Sequence, residues 1–436
     1  MHSFASLFLA YFSVYLVCVG HSAIWISVDK STEFQLQWSA TGNHELDISV
    51  KAAGPSSVMK LVSVYKRGPF DYVYGEAVFE NVDGGIDTAL DAPRSGFYER
   101  TFGDGLFWSM RDYAFSLNLA WKFGSLPKWK RHVFLLDTDG KVRASSHVRL
   151  VAPREGLNVK SVKVGNENLR IVEGWKGLPA RKPVILIGGS GHQDLDWKAF
   201  WLAEHGVTSA LISINPDLTT DCFHNADPNI LNQKIDALRE YAQATDIVVV
   251  GLSAGAGAAL LAQTLESDPF RLTFAISPAL FHFNGAKGSF CARPAPSWKN
   301  HDTYRNFYGS GLVGAWTYLQ VRWGFKHQRD AILGWLPNLD KDELSELRLI
   351  ETIPEGAIAY FGLEDTQLPQ KFTSVELCDG EPHKCRIYEF SGHSLLYDGH
   401  TVIGCNFAME KQSKFCSATK RTQIEIAADI LSATRK

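Results

Sequence analysis

Two textures of apolar spacing divide the chain. From Ile24 to about Leu150 the pattern is short runs such as Leu46-Asp47-Ile48-Ser49-Val50, Met59 to Tyr65 and Arg131 to Leu136, parted by Gly, Pro, Asn and Asp. Alternating or wholly apolar runs of this length predict strands, and several of them with turn residues between predict an all-β sandwich. After about Val151 the runs change. Val184-Ile185-Leu186-Ile187, Ala210 to Ile214 and Ile247-Val248-Val249-Val250 are continuous apolar segments, and helix-like stretches lie between and after them: Trp197 to Glu204, Ile230 to Ala242 and Ala256 to Leu265. In the second, Ile230, Leu231, Lys234, Ile235 and Leu238 recur at helical spacing. Strands without alternation, interleaved with helices, predict a parallel sheet covered on both faces.

The boundaries expected are therefore a β-sandwich over 24–150 and an α/β domain over 151–436, preceded by a leader over 1–23. Phe4 to Val19 is apolar and gives way to Gly20, His21, Ser22 and Ala23, a run shorter than a membrane span and shaped like a signal peptide. Its n-region carries no Lys or Arg. Of seven cysteines, Cys18 lies in that leader, which leaves Cys222, Cys291, Cys378, Cys385, Cys405 and Cys416. An even number in an exported chain suggests disulfides, and pairing of Cys378 with Cys385 would close the polar loop Asp379 to Lys384. All six lie beyond the sandwich, which must hold by packing alone. Secretion is the expected destination, with an organelle lumen such as the endoplasmic reticulum as the alternative.

Composition narrows the function classes. With 45% hydrophobic and 21% charged residues the chain is globular, and a formal charge of −3 supplies no field for nucleic acid or an anionic membrane. The basic cluster around Trp129 (Lys128, Lys130, Arg131) is short and reads as a solvated loop. No metal-ligand spacing occurs: His282, Cys291 and His301 match no familiar set. No cofactor motif is completed either, since Gly188-Gly189-Ser190-Gly191 extends to neither of the phosphate-loop patterns.

The chemistry-bearing segment is Gly251-Leu252-Ser253-Ala254-Gly255, after the strand Ile247 to Val250 and before the Ala-rich helix. This is a nucleophile elbow in its expected context: glycines leave room for a sharp strand-to-helix turn that lifts Ser253 to a helix N-terminus. There the amide of Ala254 is a candidate oxyanion donor. Gly189 and Ser190, in the glycine loop after an earlier strand, are candidates for the second donor; His192 beside them either faces the site or caps the next helix. Downstream, Ala357 to Phe361 ends in Gly362-Leu363-Glu364-Asp365, making Asp365 the candidate acid with Glu364 in reserve. Arg386 to Phe390 leads into Ser391-Gly392-His393, making His393 the candidate base, with His383 and His400 as rivals. Serine, acid, histidine is the chain order that this fold requires. The aromatic-rich stretch from about 280 to 336 is either a lid over an apolar acyl pocket or an insertion packed on the core.

Beyond the elbow, Phe79 to Asp87, Pro93, Ser95-Gly96-Phe97-Tyr98, Gly105 to Met110, Arg154-Glu155-Gly156, Gly362 to Asp365 and Ser391 to His393 resemble the segments of the acyl-CoA thioesterase and bile acid-CoA:amino acid N-acyltransferase family. That resemblance, over roughly Leu46 to His393, implies an immunoglobulin-like domain joined to an α/β-hydrolase domain. It also implies acyl-CoA hydrolysis, because serine rather than cysteine occupies the elbow. Ala254 stands where intracellular members carry lysine, and the leader directs the chain to where coenzyme A is scarce. An exported esterase or lipase on other acyl esters, and an inactive binding protein, are the alternatives.

Overall fold

In the computed structural model the described residues are 33–38, 46–51, 58–66, 69, 72–80, 85–88, 90–98, 106, 111–113, 117–126, 131–137, 139–140, 142–148, 158–165, 167–189, 196–214, 227–265, 268, 271–281, 311–322, 326, 328–365, 367–393, 395 and 412–435. The leader over 1–23, the junction at Arg154, Cys222, Cys291 and Cys405 lie outside them.

The N-terminal strands are β1 (Glu33–Trp38), β2 (Leu46–Lys51), β3 (Val58–Lys66), β4 (Tyr72–Glu80), β5 (Gly85–Asp87), β6 (Ser95–Gly96), β7 (Arg111–Tyr113), β8 (Arg131–Leu136) and β9 (Val142–Val148), with a short helix α1 (Leu117–Phe123) before β8. All their ladders are antiparallel, in a three-stranded sheet β1-β2-β5 and a larger sheet β6-β4-β3-β8-β9 to which β7 adds on β4. Burial alternates from Val73 to Phe79 of β4, with Val73, Ala77 and Phe79 buried on one face, while the other face of the sheet packs Val62, Val64, Tyr72, Phe134 and Leu136 with Phe123. None of these strands joins the sheet that follows.

That sheet comprises β10 (Val159–Val164), β11 (Glu167–Val172), β12 (Val184–Ile187), β13 (Ser209–Ile212), β14 (Ile247–Leu252), β15 (Arg271–Ile276), β16 (Ala357–Gly362) and β17 (Cys385–Tyr388). The helices are α2 (Asp196–Glu204), α3 (Pro228–Ala242), α4 (Ala254–Leu265), α5 (Gly311–Arg322), α6 (Gln328–Leu333), α7 (Lys341–Leu347), α8 (Gln370–Cys378) and α9 (Gln412–Ala433). Strand order is β10-β11-β13-β12-β14-β15-β16-β17, parallel except at the β10–β11 and β11–β13 pairs. This is the α/β-hydrolase arrangement.

The apolar runs sort their side chains by a period of two. Val184, Leu186, Val248, Val250 and Leu252 meet α2 and α9 on one face, whereas Ile185, Ile187, Ile247 and Val249 meet α3 and α4 on the other. Every residue of β14 is therefore buried, and each such Val, Leu or Ile contributes about 1.5–3 kcal/mol. The order of strands reverses between β12 and its two neighbours, β13 and β14, and the crevice at such a switch point, beyond the C-terminal strand ends, is where ligands of open α/β sheets bind.

Of the aromatic stretch, the described part makes its own small core: Phe281, Ala331, Ile332 and Leu336 pack with Leu347, Leu368 and Phe372, while Trp316 is exposed. Cys378, at the end of α8, and Cys385, at the start of β17, are joined as a disulfide with their Cα atoms 6.0 Å apart.

Candidate active site

Three strand ends carry the site. Ser253 follows β14 in a left-handed conformation, φ 58°, which L residues avoid unless the surroundings impose it. Its amide donates to the Ile276 carbonyl (2.9 Å), and its carbonyl accepts from Ala279 (3.1 Å) and from the first turn of α4 through Ala256 (3.0 Å). The elbow glycines are dictated by contact. A Cβ on Gly251 would meet the Gly255 carbonyl oxygen at 2.5 Å, and one on Gly255 would meet the Ile187 carbonyl oxygen at 2.5 Å. The elbow is thus pressed against the end of β12, and Gly188 and Gly189 continue from there, buried, toward the candidate oxyanion loop. Ala254 opens α4, so its amide belongs to the helical turn whose N–H groups have no intrahelical acceptor. Ser190 and His192 lie outside the described residues.

Asp365 follows β16 and is fully buried. A buried carboxylate requires donors, and it has them: Oδ1 accepts the amides of Gln367 (2.7 Å) and Leu368 (3.0 Å), and Oδ2 lies 2.7 Å from His393 Nδ1. An ionised carboxylate only accepts, so Nδ1 is the donor, and in the neutral ring that tautomer leaves the lone pair on Nε2. Glu364, the reserve acid, is exposed, and its amide instead donates to the Ser391 carbonyl. His383 is also exposed, on a short 3₁₀ turn before β17, and His400 lies outside the described residues.

His393 follows β17 and is 6% exposed. Its segment is held from two sides. The Ser277 hydroxyl, at the end of β15, donates to the His393 carbonyl (2.8 Å). On the other side Ser391 Oγ and Thr422 Oγ1 share a hydrogen bond of 2.7 Å, and the Gly392 amide reaches Thr419 Oγ1 (3.4 Å). Helix α9, which supplies both threonines, is itself tied to the sheet where Tyr360 and Tyr388 donate to Asp429 and Glu425, each at 3.0 Å. Burial, reinforced by those carboxylates, pushes both phenols far above the ordinary tyrosine range. Among the described residues no hydrogen bond joins Ser253 Oγ to His393; such bonds are often long before substrate closes the site.

Ser277, Thr419, Thr422 and Arg329, whose guanidinium donates to the Asp365 carbonyl (3.2 Å), belong to no motif in the sequence. Only Ser277 carried a signal, as the residue ending the apolar run Leu272 to Ile276 and preceding Pro278.

No protein-family model matches the chain, and no curated protein matches it in sequence. Solved structures similar to it include Est1E from Butyrivibrio proteoclasticus (15% identity, 62% of this chain and 99% of that one, TM-score 0.32). A hyperthermophilic esterase from Pyrobaculum calidifontis (14%, 64% and 84%, TM-score 0.37) and DphMB1 (14%, 65% and 89%, TM-score 0.37) are two more. Likeness at this level says nothing of what the chain acts on.

Proposed function

We propose that the chain is a serine hydrolase of acyl esters and thioesters, with Ser253 as nucleophile, His393 as base and Asp365 as the acid that orients it. The observation that carries this reading is the Asp365–His393 contact, formed where β16 and β17 end, at the same edge of the sheet as a serine held left-handed at the end of β14. In the reaction, Ser253 Oγ attacks the acyl carbonyl carbon while His393 Nε2 takes its proton. The oxyanion of the tetrahedral intermediate accepts hydrogen bonds from the Ala254 amide and from the Gly189–Ser190 loop. Collapse breaks the bond to the leaving thiol or alcohol, which receives the proton from His393 and departs. Water, deprotonated by His393, then cleaves the acyl-serine, releasing the carboxylic acid and restoring Ser253.

Serine at the elbow and the family resemblance support a thioester, with acyl-CoA the first candidate. Ala254 favours a second reading, an exported carboxylesterase, because the elbow there lacks the lysine of intracellular thioesterases. Turnover of a p-nitrophenyl acyl ester and of an acyl-CoA by the purified chain, beside Ser253→Ala, separates them. The variant should lose on the order of 10⁴-fold in rate, and the ratio of the two substrates assigns the leaving group. A wild-type chain no faster than the variant on either substrate refutes the hydrolase reading and leaves a binding protein.

A further inference from the structure

Ser277 shares with Ser253 a property rare among residues with a side chain: both sit at positive φ, 48° and 58°, and both follow the last residues of neighbouring parallel strands. Ser253 bears the proposed nucleophile. Ser277 has no step in the mechanism above, yet it is fully buried, and both its amide and its hydroxyl donate hydrogen bonds. Its amide donates to the Tyr360 carbonyl at 2.8 Å, which joins it to β16, the strand that delivers Asp365. Its hydroxyl donates to the His393 carbonyl at 2.8 Å. The residue before it, Ile276, accepts the Ser253 amide, and Ala279, two residues after it, donates to the Ser253 carbonyl. The Ser253 backbone therefore brackets the turn on which Ser277 stands. The intervening Pro278 carbonyl is held by Gln370 Nε2 at 3.2 Å, from the first residue of α8, so the turn is fixed on that side as well.

From these contacts we infer that Ser277 is a positioning residue, one that sets the imidazole of His393 relative to the Ser253 hydroxyl. The inference rests on the hydrolase reading, since it assigns Ser277 a role only through the base. The physical path is short. Nucleophile backbone to Ile276, one residue along the turn to Ser277, and Oγ to the His393 carbonyl make a connection with no mobile side chain except the serine itself. The ring is already oriented at Nδ1 by Asp365, and the residues before it are held by Thr419 and Thr422; the Ser277 bond is the one that fixes the His393 backbone itself to the turn bracketing Ser253. The His393 carbonyl also accepts the Leu395 amide at 3.1 Å, so removing the hydroxyl does not strand a buried acceptor. The cost of losing it should thus appear in alignment rather than in stability.

Two variants separate hydroxyl from backbone. Ser277→Gly removes the hydroxyl and is at ease at positive φ; Ser277→Ala removes it while keeping the strained conformation. Both should lower kcat for a p-nitrophenyl ester by about 10- to 100-fold with KM unchanged, the size expected of a misplacement near 1 Å. In a His393→Ala background Ser277→Gly should change the residual rate less than about 2-fold, because the residue acts through the base. Labelling of Ser253 by a fluorophosphonate probe should slow in parallel with kcat. Equal losses with and without His393, or a loss in Ser277→Ala that Ser277→Gly does not share, overturn the inference. A wild type that labels and turns over while Ser277→Gly matches it overturns it alone. A wild type that neither labels nor turns over overturns the hydrolase reading and this one together.

Discussion

The antiparallel strands before Val148 and the eight-stranded sheet after Val159 bury comparable runs of apolar residues but arrange their ends differently. In β4 exposure alternates residue by residue, and neighbouring strands run in opposite directions, so the loops after successive strands fall at opposite edges. In β14 to β17 every strand runs the same way, and the residues that follow them gather at one edge. Ser253, Ser277, Asp365 and His393 are all such residues. Direction, rather than composition, is why a convergent polar site forms in one region and is not expected in the other.

That comparison can be sharpened or broken by substitution. The largest expected effect is at the acid. Asp365→Asn presents an amide to His393 Nδ1, which favours the wrong tautomer, and should lower kcat by about 10³- to 10⁴-fold. Glu364→Gln, one residue away and exposed, should leave kcat within about 2-fold; steady-state kinetics of the pair that show equal losses would sink the assignment of the acid. Next comes the antiparallel region. Phe134 is buried against Phe123, ring centroids 5.5 Å apart, and Phe134→Ala should cost about 3–5 kcal/mol in chemical denaturation while kcat of the folded fraction stays unchanged. A fall in kcat at full folding would show that the N-terminal strands contribute to the site after all.

The smallest effect concerns a contact away from the site. Tyr241, on α3, donates to Glu173, just past β11; burial and then that carboxylate raise its pKa to about 12, while the same bond, as the largest cause, lowers that of Glu173. The signs oppose each other. A phenol raised above its unfolded value of about 10 adds stability that is complete below pH 10 and is lost as pH rises through about 12. The lowered Glu173 adds stability present above its unfolded pKa and lost as pH falls through the folded one. Both groups are largely solvent-screened, so Tyr241→Phe should flatten the two limbs of a Tm-against-pH curve only slightly. Limbs that steepen in the variant would contradict this account.

Much of the hydrolase fold was legible before any coordinates. Continuous apolar runs at Val184, Ala210, Ile247 and Ala357 mark strands buried on both faces because a parallel strand has no wet side, and β12, β13, β14 and β16 coincide with them. The elbow was legible for a local reason: Gly251 and Gly255 are needed where a Cβ would strike backbone a few residues away or on the adjoining strand. The strand β15 and the helix α9 were not read. The run Arg271 to Ile276 opens on a charge and is broken by Thr273, and α9 carries mixed polar residues whose partners lie more than 20 residues away in sequence, as Thr422 does from Ser391. Asp365 is the preferred acid in the sequence with Glu364 in reserve, and the structure sets Asp365 on His393 Nδ1 while Glu364 is exposed.

By itself the sequence determined the two textures, the class of the parallel sheet and the candidates for the chemistry, because side-chain periodicity and glycine tolerance are local properties. Only the tertiary structure brought Asp365 onto His393, set Ser277 and Thr422 against its loop, and pressed the end of β12 against the elbow. Those contacts join positions up to 116 residues apart, and their selection depends on the packing of whole strands rather than on any local preference.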